Sequence, residues 1–379
     1  MKNTVYFDNA ATTFPKPPTV LYKVRELLSE YCANPGRSSH RLAMRAANEV
    51  YTTRERLAKF FGAEEENVVF TSSATHSINL ALKSLLKKGD HVLISDIEHN
   101  AVLRPVTALA EKGDITFDIY TAYADSEAMI TELERKIKPN TALICSCHHS
   151  NICNFVTPVG AVGRFCRGEG IFFLVDASQS AGTLPINVKD DRIDVLCAPS
   201  HKGLYGIPGG GFAIFSDRLA KSGRLSTFIE GGNGTSSEIP LMPEFLPERL
   251  ESGTLPLPAI VSLGAGIDFL NARSTSAILE KEKRLCSVIR HGLSRFGNVT
   301  VHSPTDGSIL LFSVKDVPSE AVAEALSSNG ICVRAGLHCA PLAHRKLKTP
   351  ESGAVRVSLG AFNSESEARY FLKTADMLF

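Results

Sequence analysis

The stretch APSHKGLYGIPGGG, residues 198–211, places Lys202 directly after an apolar run and immediately before five glycines. The preceding IDVLCA (193–198) is typical of a buried strand. Glycines at a strand end permit unusual backbone angles and let a ligand approach the main chain closely. A lysine here is consistent with a phosphate ligand, a Schiff-base nucleophile or an ordinary surface lysine.

The order of lysine and glycines argues against a nucleotide-triphosphate loop. That motif, G-x-x-x-x-G-K-[ST], has its glycines before the lysine and a Ser or Thr after it. Here Gly203 follows Lys202. No G-x-G-x-x-G opens a helix after the first strand either, so a dinucleotide site is not indicated.

Composition and charge narrow the class of protein. The chain has 379 residues, is 44% hydrophobic and 21% charged, and carries a formal net charge of +1. These values are typical of a globular protein of one large or two ordinary domains, with no electrostatic sign of nucleic-acid or membrane binding. The N-terminus lacks the apolar core of a signal peptide, and no apolar run reaches the roughly 18 residues of a membrane span. We therefore expect a cytoplasmic protein.

The nine cysteines do not suggest a disulfide framework, because their number is odd and they are widely spread. CSCHHSNIC (145–153) holds three Cys and two His, which are residue types that bind metals. Cys145 and Cys147 flank one residue and share a strand face, and no matching C-x-x-C or H-x-x-x-H lies elsewhere. We predict a buried strand, TALICSC, and no metal.

Strand and helix patterns alternate from about residue 20 to residue 255, which predicts an α/β fold with a largely parallel sheet covered on both faces. After the Pro-rich stretch 238–259, one long helix (about 258–295), short strands and a terminal helix predict a smaller α+β domain.

Polar residues follow five predicted strands, at the sheet edge where such folds bind ligands. They are Thr75, Glu98 with His99, His149 with Asn151, Asp176 with Gln179, and His201 with Lys202.

This set meets the needs of an enzyme that uses pyridoxal phosphate (PLP). Such an enzyme needs a Schiff-base lysine, a carboxylate for the ring nitrogen, phosphate donors, a flat side chain over the ring and an arginine for the substrate carboxylate. Lys202 supplies the Schiff-base amine and Asp176 the carboxylate. Thr75, Ser200 and His201 supply phosphate donors, and His99 supplies the flat side chain. Arg356, one of two well-placed arginines, supplies the group for the substrate carboxylate.

A second set of residues lies in VRAGLHCAPLAH (333–344), where Cys339 occupies a predicted loop. A nucleophilic thiol needs nearby positive charge or a proton acceptor. Arg334, His338 and His344 are candidates, and the pattern alone leaves an inert cysteine as an alternative.

Nine blocks in order resemble the cysteine desulfurase family of class-V, fold-type I PLP enzymes, from residue 5 to about residue 360. The blocks are YFDNAATTFPKP, NPGRSSHRLA, TSSATHSINLAL, EHN with Pro105, HHSN, VDASQSAG, SHKGLYG, ESGT and RAGLHCAPLAH followed by VRVSLG.

The resemblance implies conversion of L-cysteine to L-alanine, with sulfur passing to an enzyme cysteine and on to an acceptor protein or small thiol. It implies a PLP-bound homodimer. The implied roles are Lys202 for the Schiff base, Asp176 for the ring nitrogen, Gln179 for the phenolate oxygen, His99 for the ring face, Thr75, Ser200, His201 and the second subunit's Thr254 for the phosphate, Asn151, Arg334 and Arg356 for the substrate, and Cys339 for the sulfur.

From pattern and resemblance together we predict three segments. Residues 1–20 form an N-terminal segment that packs with the small domain, 21–255 a large PLP-binding domain, and 256–379 a small domain with the cysteine loop. The 17-residue spacing from Cys339 to Arg356 resembles the short-loop subgroup with selenocysteine lyase-like members.

Several positions depart from the family pattern. His76 replaces the usual Glu, Pro199-Ser200 replaces Ser-Gly, and Ile-Cys-Asn (with Cys153) follows Asn151 instead of a glycine-containing turn. Selenocysteine lyase, C–S lyase, aminotransferase and a non-catalytic PLP-binding or sulfur-relay protein remain alternatives. The product, alanine against pyruvate or a keto acid, separates the enzymes.

Overall fold

The computed structural model describes residues 4–36, 39–235 and 238–379. Arg37 and Ser38 of the NPGRSSHRLA block lie outside the described residues. The strands are β1 (Val5–Tyr6), β2 (Val68–Thr71), β3 (Asp90–Ser95), β4 (Ile115–Tyr120), β5 (Thr141–Cys147), β6 (Phe172–Asp176), β7 (Val195–Pro199), β8 (Gly211–Phe215), β9 (Val299–Val301), β10 (Ile309–Val314), β11 (Ile331–Cys332), β12 (Arg334–Gly336) and β13 (Ala354–Ser358).

The helices alternate with these strands through the first two thirds of the chain. They are α1 (Pro18–Glu30), α2 (Arg41–Phe61), α3 (Ala74–Leu85), α4 (Asn100–Glu111), α5 (Ser126–Lys136), α6 (Val159–Gly168), α7 (Asp217–Ala220), α8 (Leu257–Arg273), α9 (Thr275–Leu293), α10 (Ser319–Ser328), α11 (Pro341–Leu347) and α12 (Glu365–Leu378).

A seven-stranded sheet in the order β2-β8-β7-β6-β5-β3-β4 forms the large part of the molecule. Only β8 runs antiparallel to its neighbours among these described strands. The polar strand ends therefore meet at one edge. This sheet confirms the predicted α/β class with a large, mostly parallel sheet.

Both faces of the large sheet are covered, because successive side chains of a strand point to opposite faces. In β3, Val92 and Ile94 join the core beneath α3 and α4, whereas Leu93 joins the core of α2, α5, α6 and α8. In β6, Leu174 and Val175 divide in the same way. The buried, nearly continuous apolar strands follow from this two-sided cover.

A second, antiparallel sheet in the order β12-β13-β10-β9 lies in the C-terminal region. We call residues 275–379, which carry this sheet, the small domain. The N-terminal β1 pairs in parallel with β11, and Val5 and Phe7 are buried in the core beneath this sheet. The first strand of the chain thus packs with the last third.

The predicted single helix over 258–295 is wrong, because the chain forms two helices that separate at Ser274. This residue has a left-handed φ of 65°, and its hydroxyl accepts from the Ala277 amide as the N-cap of α9. The first of the two helices, α8, packs on α1 and α2. That packing favours a boundary near Ser274 over one at residue 255; the three-segment division stays a prediction.

No helix in the described part of the chain is both long and apolar enough to cross a membrane.

Candidate active site

A cavity of about 110 Å³ opens at the carboxyl edge of the large sheet. It is lined by Ser73, Ala74, Thr75, His99, Ala101, Cys147, His149, Asn151, Asp176, Ser178, Gln179, Pro199, His201 and Lys202. The five predicted strand ends therefore meet at one site. The described lining residues do not include Ser200, Thr254, Arg334, Arg356 or Cys339.

Lys202 follows β7 and presents an amine with altered basicity. Burial lowers the pKa of Lys202 from 10.5 to about 8; the Asp176 carboxylate opposes this shift and Arg356 adds to it. Near pH 8 about half of the amine is neutral, so it can act as a nucleophile or as a base. An ordinary surface lysine would be almost fully protonated at that pH.

Asp176 ends β6 and is buried. Its Oδ1 accepts hydrogen bonds from the Ser178 amide (2.9 Å) and the Ser178 hydroxyl (2.5 Å). Gln179, from the same turn, lines the cavity and donates from Nε2 to the carbonyl of Ala10 at 2.9 Å. The turn after β6 thus supplies a fixed anion and an amide side chain.

His99 is the N-cap of α4, where Nδ1 accepts from the Ala101 amide at 3.0 Å. Burial lowers its pKa to about 4, against the opposing effect of Asp176. The ring is therefore neutral at pH 7 and carries its proton on Nε2. This arrangement presents a flat, uncharged ring to the cavity.

The first turn of α3 lines the cavity through Ser73, Ala74 and Thr75. Ser73 caps this helix by accepting from the His76 amide. A helix N-terminus offers main-chain N–H groups and favours an anion. His76, the departure from the family pattern, is half-buried, and its ring contacts Ser72 and Phe228.

Ser200 and His201, two of the predicted phosphate ligands, point in different directions. The Ser200 hydroxyl lies 2.6 Å from the Ile207 carbonyl and 3.0 Å from the Gly210 carbonyl, inside its own glycine-rich loop. His201 lines the cavity, and burial lowers its pKa to about 4. The structure therefore brings His201 to the site but not the Ser200 side chain.

Thr254 is exposed and lies at a second cavity, of about 210 Å³, with Arg54 and Glu251 among its lining residues. Arg54 and Glu251 form a buried two-bond ion pair, with N–O distances of 2.9 and 3.0 Å. Glu251 also accepts from the Phe70 amide at 2.6 Å. This pair holds the ESGT segment at the surface, and one chain alone does not bring Thr254 to Lys202.

Arg356 of β13 is almost fully buried. Its Nη2 forms an ion pair with Asp8 at 2.6 Å, and its Nη1 donates to the Asn151 carbonyl at 3.1 Å. Asn151 donates from Nδ2 to the His338 carbonyl at 2.9 Å. Arg334 pairs with Arg356 across the β12–β13 ladder and is half-buried. The predicted substrate residues therefore lie together between the large sheet and the small domain.

Cys339 is exposed, whereas the flanking His338 and Ala340 are buried. Both His338 and Cys339 have left-handed φ angles, 51° and 56°, and the Cys339 carbonyl accepts from the Asn100 amide at 2.8 Å. Asn100 directly follows His99. The turn that presents the thiol is thus bonded to the start of α4, beside the cavity.

The two histidines near Cys339 do not supply positive charge. Their rings are stacked, with centroids 5.4 Å apart, and His338 Nδ1 lies 3.2 Å from His344 Nε2. His338 Nε2 donates to the Arg334 carbonyl, and His344 Nδ1 lies 2.7 Å from the Thr349 hydroxyl. Burial lowers the pKa of His338 to about 3 and that of His344 to about 4. Of the three predicted candidates, Arg334 alone is a cation.

The model of the family described as aminotransferase class-V matches residues 5–371. The chain belongs to the class-V aminotransferase family. This membership agrees with the resemblance inferred from the nine sequence blocks.

Class-V relatives with named activities match nearly the whole chain. A probable cysteine desulfurase of Methanothermobacter thermautotrophicus is 31% identical, over 99% of this chain and 95% of the relative. The cysteine desulfurase IscS of Enterobacter sp. is 30% identical, over 98% and 92%. The apo structure of a cysteine desulfurase from Thermococcus onnurineus NA1 has a TM-score of 0.90 and 30% identity, over 99% and 94%.

Three residues outside the predicted set also shape this class-V site. Thr12 Oγ1, the Thr13 amide and Lys16 Nζ all donate to the His201 carbonyl, at 3.1, 3.1 and 2.9 Å. These residues fix the peptide that precedes Lys202. They belong to the block YFDNAATTFPKP. Its Thr, Asn and Lys side chains form a polar run, and this pattern predicts hydrogen bonds to distant parts of the chain.

Glu98 lies behind Asp176, at the end of β3. Its Oε1 accepts from the Cys147 amide at 2.6 Å and from the Ser95 hydroxyl at 2.5 Å, which joins the ends of β3 and β5. Burial raises its pKa to about 8, and Asp176 contributes to that rise. Burial and Asp176 therefore both favour the neutral form of Glu98, which reduces the negative charge near Asp176.

Proposed function

We propose that this chain is a PLP-dependent cysteine desulfurase, which converts L-cysteine to L-alanine and transfers the sulfur to Cys339. The observation that carries the proposal is the hydrogen bond from Asn151, which lines the Lys202 cavity, to the carbonyl of His338, the neighbour of the exposed Cys339. The named activities of the class-V relatives support it.

The residues of the cavity fit PLP. Among the described residues, Asn151 Oδ1 and His201 Nδ1 in the cavity lining are buried without a hydrogen-bond partner, as is Nε of Arg356, which contacts Asn151 from outside the lining. Buried polar atoms of this kind are costly unless a ligand satisfies them. Asn151 Oδ1 is an acceptor, Arg356 Nε is a donor, and His201 Nδ1 is an imidazole nitrogen. Together they suit a ligand that carries both an ammonium and anionic oxygens, and the first turn of α3 suits a phosphate.

Each cavity residue has a place in holding the cofactor. Asp176 would hold the ring nitrogen, His99 would lie on the ring face, and Gln179 would face the phenolate oxygen. Thr75 and His201 would hold the phosphate. Ser200 does not join them in this arrangement, because its hydroxyl is bonded within its own loop.

When bound, PLP supplies an aldehyde for a Schiff base and a ring that withdraws electrons from the substrate α-carbon. Lys202 supplies the amine and, with a pKa of about 8, can accept the α-proton near neutral pH. Arg356 Nε has no hydrogen-bond partner among the described residues and could donate to a substrate carboxylate. Asn151 Oδ1 also has none among them and could accept from a substrate ammonium. Arg334 adds positive charge beside them.

Cys339 receives the sulfur in this proposal. Its thiolate attacks the substrate sulfur, the C–S electron pair returns to the substrate carbon, and that carbon takes a proton to give alanine. A persulfide stays on Cys339. A sulfur-acceptor protein or a small thiol then removes the outer sulfur.

A homodimer completes the site in this proposal. Thr254 is exposed in one chain and lies at a cavity separate from Lys202. A second copy that brought its Thr254 to the phosphate would explain why the Arg54–Glu251 ion pair holds this segment so firmly at the surface. The cytoplasmic location stays a prediction of the sequence.

The test is incubation of the purified, PLP-loaded protein with L-cysteine, followed by assays of alanine, sulfide and pyruvate. Alanine in amounts equal to the sulfur transferred supports a desulfurase. Pyruvate with sulfide would indicate a C–S lyase, and a keto acid that retains the sulfur would indicate an aminotransferase. The same assay with L-selenocysteine tests the selenocysteine lyase alternative.

A further inference from the structure

The loop that follows β5 contains a residue whose conformation is unusual for its type. Asn154 has a left-handed φ of 58° and is buried. Glycine adopts this conformation without strain, and asparagine tolerates it better than most other residues. Unlike glycine, asparagine also places an amide side chain at this buried position.

The Asn154 amide bonds to both main-chain groups of Ile309, the first residue of β10. Its Nδ2 donates to the Ile309 carbonyl, and its Oδ1 accepts from the Ile309 amide at 2.8 Å. Nδ2 also lies 3.3 Å from the Thr305 carbonyl. A Cβ on Gly307 would overlap the Asn154 amide, so the small domain leaves room for this side chain. The contact is a two-way clamp between the large sheet and the small domain.

Two further bonds connect the same loop to the small domain. The Asn151 carbonyl accepts from Arg356 on β13, and Asn151 Nδ2 donates to the His338 carbonyl next to Cys339. Strands β10 and β13 are neighbours, with Leu311 opposite Arg356, and β13 pairs with β12, which leads into the Cys339 turn. Ile309 is therefore connected through the small sheet to the strand that carries Arg356 and to the strand that precedes Cys339.

We propose that Asn154 is a positioning residue that sets the small domain, and with it Cys339, in register with the Lys202 cavity. The proposal rests on Cys339 as the sulfur acceptor. Asn154 is not among the residues that line the Lys202 cavity, and its side chain reaches that lining only through a hydrogen bond to His149. Its loss should therefore leave cofactor and amino-acid binding in place. Its loss should slow the one step that needs Cys339 at the correct distance. A misplacement of about 1 Å at a reacting group can cost about 100-fold in rate.

The test compares Asn154→Gly with Asn298→Gly, a matched control. Asn298 also bonds a main-chain carbonyl of the small domain, that of Phe379, but does not contact the β5 loop residues described above. Asn154→Gly keeps the left-handed conformation and removes only the amide. Asn154→Asp keeps the acceptor for the Ile309 amide and loses the donor to the Ile309 carbonyl. Gly307→Ala should displace the Asn154 side chain by a change made in the small domain.

Three measurements separate positioning from general stability. They are the absorbance of bound PLP, the spectral change on adding L-alanine, which has no sulfur, and the single-turnover rate of persulfide formation on Cys339. For Asn154→Gly and Gly307→Ala we expect the first two to be unchanged and the third to fall about 10- to 100-fold. We expect Asn154→Asp to be intermediate and Asn298→Gly to match the parent.

A persulfide rate for Asn154→Gly equal to that of the parent would overturn the proposal. Loss of PLP binding in both Asn154→Gly and Asn154→Asp would also overturn it, because the role would then be general stability. Hydrogen exchange of the amides of residues 309 and 337–340 gives a readout without turnover and should be faster in Asn154→Gly. If the parent forms no persulfide on Cys339, the proposed function fails, while the exchange measurement still decides whether the clamp positions the turn.

Discussion

Asn151 donates a hydrogen bond from Nδ2 to the main-chain carbonyl of His338, at 2.9 Å, across the junction between the large sheet and the small domain. The Asn151 side chain lines the Lys202 cavity, and His338 precedes the exposed Cys339. One bond thus joins the residues proposed to activate the substrate to the residue proposed to take its sulfur. The other amide atom, Asn151 Oδ1, has no hydrogen-bond partner among the described residues and can accept from a bound donor.

The first prediction concerns the identity of the Schiff-base lysine. Lys202→Ala should abolish the covalent PLP adduct that borohydride reduces, because Lys202 is the one lysine among the described residues that line the cavity. Peptide mass spectrometry of the reduced parent should place the adduct on Lys202. Lys16 is the informative comparison, since burial lowers its pKa to about 8 as well. An adduct on Lys16, or a reducible adduct that persists in Lys202→Ala, would contradict the assignment.

The second prediction concerns the His338–His344 pair and pH. Burial holds the folded-state pKa values at about 3 and about 4, below the ordinary value of 6.5. In the unfolded chain both rings take up protons below about pH 6.5, whereas the folded pair does not until much lower pH. Stability from this pair is therefore present above pH 6.5 and is lost as pH falls, by at most about 2.5 kcal/mol for each ring between pH 7 and pH 4.5, and by less for His344, which solvent partly screens.

Chemical denaturation at several pH values measures this effect. The double variant His338→Gln/His344→Gln should have a shallower dependence of unfolding free energy on pH over this range. Nitrogen NMR of the parent at pH 6 should show both rings neutral, with the proton on Nε2. A ring that titrates near pH 6.5 in the folded protein, or identical pH slopes for parent and double variant, would refute the neutral pair.

The third prediction concerns Thr254 and the proposed dimer. Thr254→Ala should weaken PLP affinity about 10- to 100-fold, because one charge-assisted hydrogen bond contributes roughly 1.5–3 kcal/mol. Thr300→Ala is the control, since Thr300 is an exposed threonine on β9. Equilibrium titration with PLP and sedimentation at micromolar concentration provide the measurements. A monomer with full PLP occupancy, or unchanged affinity in Thr254→Ala, would exclude a shared site.

The sequence predicted the sheet and its ligand edge well, because apolar strands and the polar residues that follow them are local patterns. It failed where an outcome depends on contacts between distant residues or on the rotation of one side chain. Ser200 follows the correct strand, but its hydroxyl turns toward Ile207 and Gly210. The partner of Arg356, Asp8, lies 348 residues away, and no local spacing indicates the pair.

The break at Ser274 and the exposure of Cys332 show two further limits. Ser-Thr-Ser (274–276) is an N-cap signal within a helical pattern, and no glycine or proline marks the break. Cys145, Cys147, Cys166, Cys197 and Cys332 all lie in apolar runs, a pattern that predicts burial; the first four are buried, but Cys332 is only half-buried. Cys332 is the last residue of β11, in the two-stranded sheet that β11 forms with β1. One face of this small sheet is less buried than the faces of the large sheet.

Cys339 is the residue that separates desulfuration from other PLP reactions. Among the described cysteines, Cys32 and Cys339 are exposed. Burial raises the pKa of Cys145, Cys147 and Cys197 well above the ordinary value, which disfavours their thiolates. Cys339→Ser should keep PLP and amino-acid binding and should lose cysteine-to-alanine turnover by orders of magnitude, whereas Cys32→Ser should match the parent.

The most direct measurement is peptide mass spectrometry after a brief treatment of the PLP-loaded protein with L-cysteine, with alanine assayed in the same sample. The account predicts a mass increase of one sulfur on the peptide that carries Cys339, together with alanine, in the parent and in Cys32→Ser. A sulfur increment on Cys153 alone, or undiminished alanine from Cys339→Ser, would contradict it.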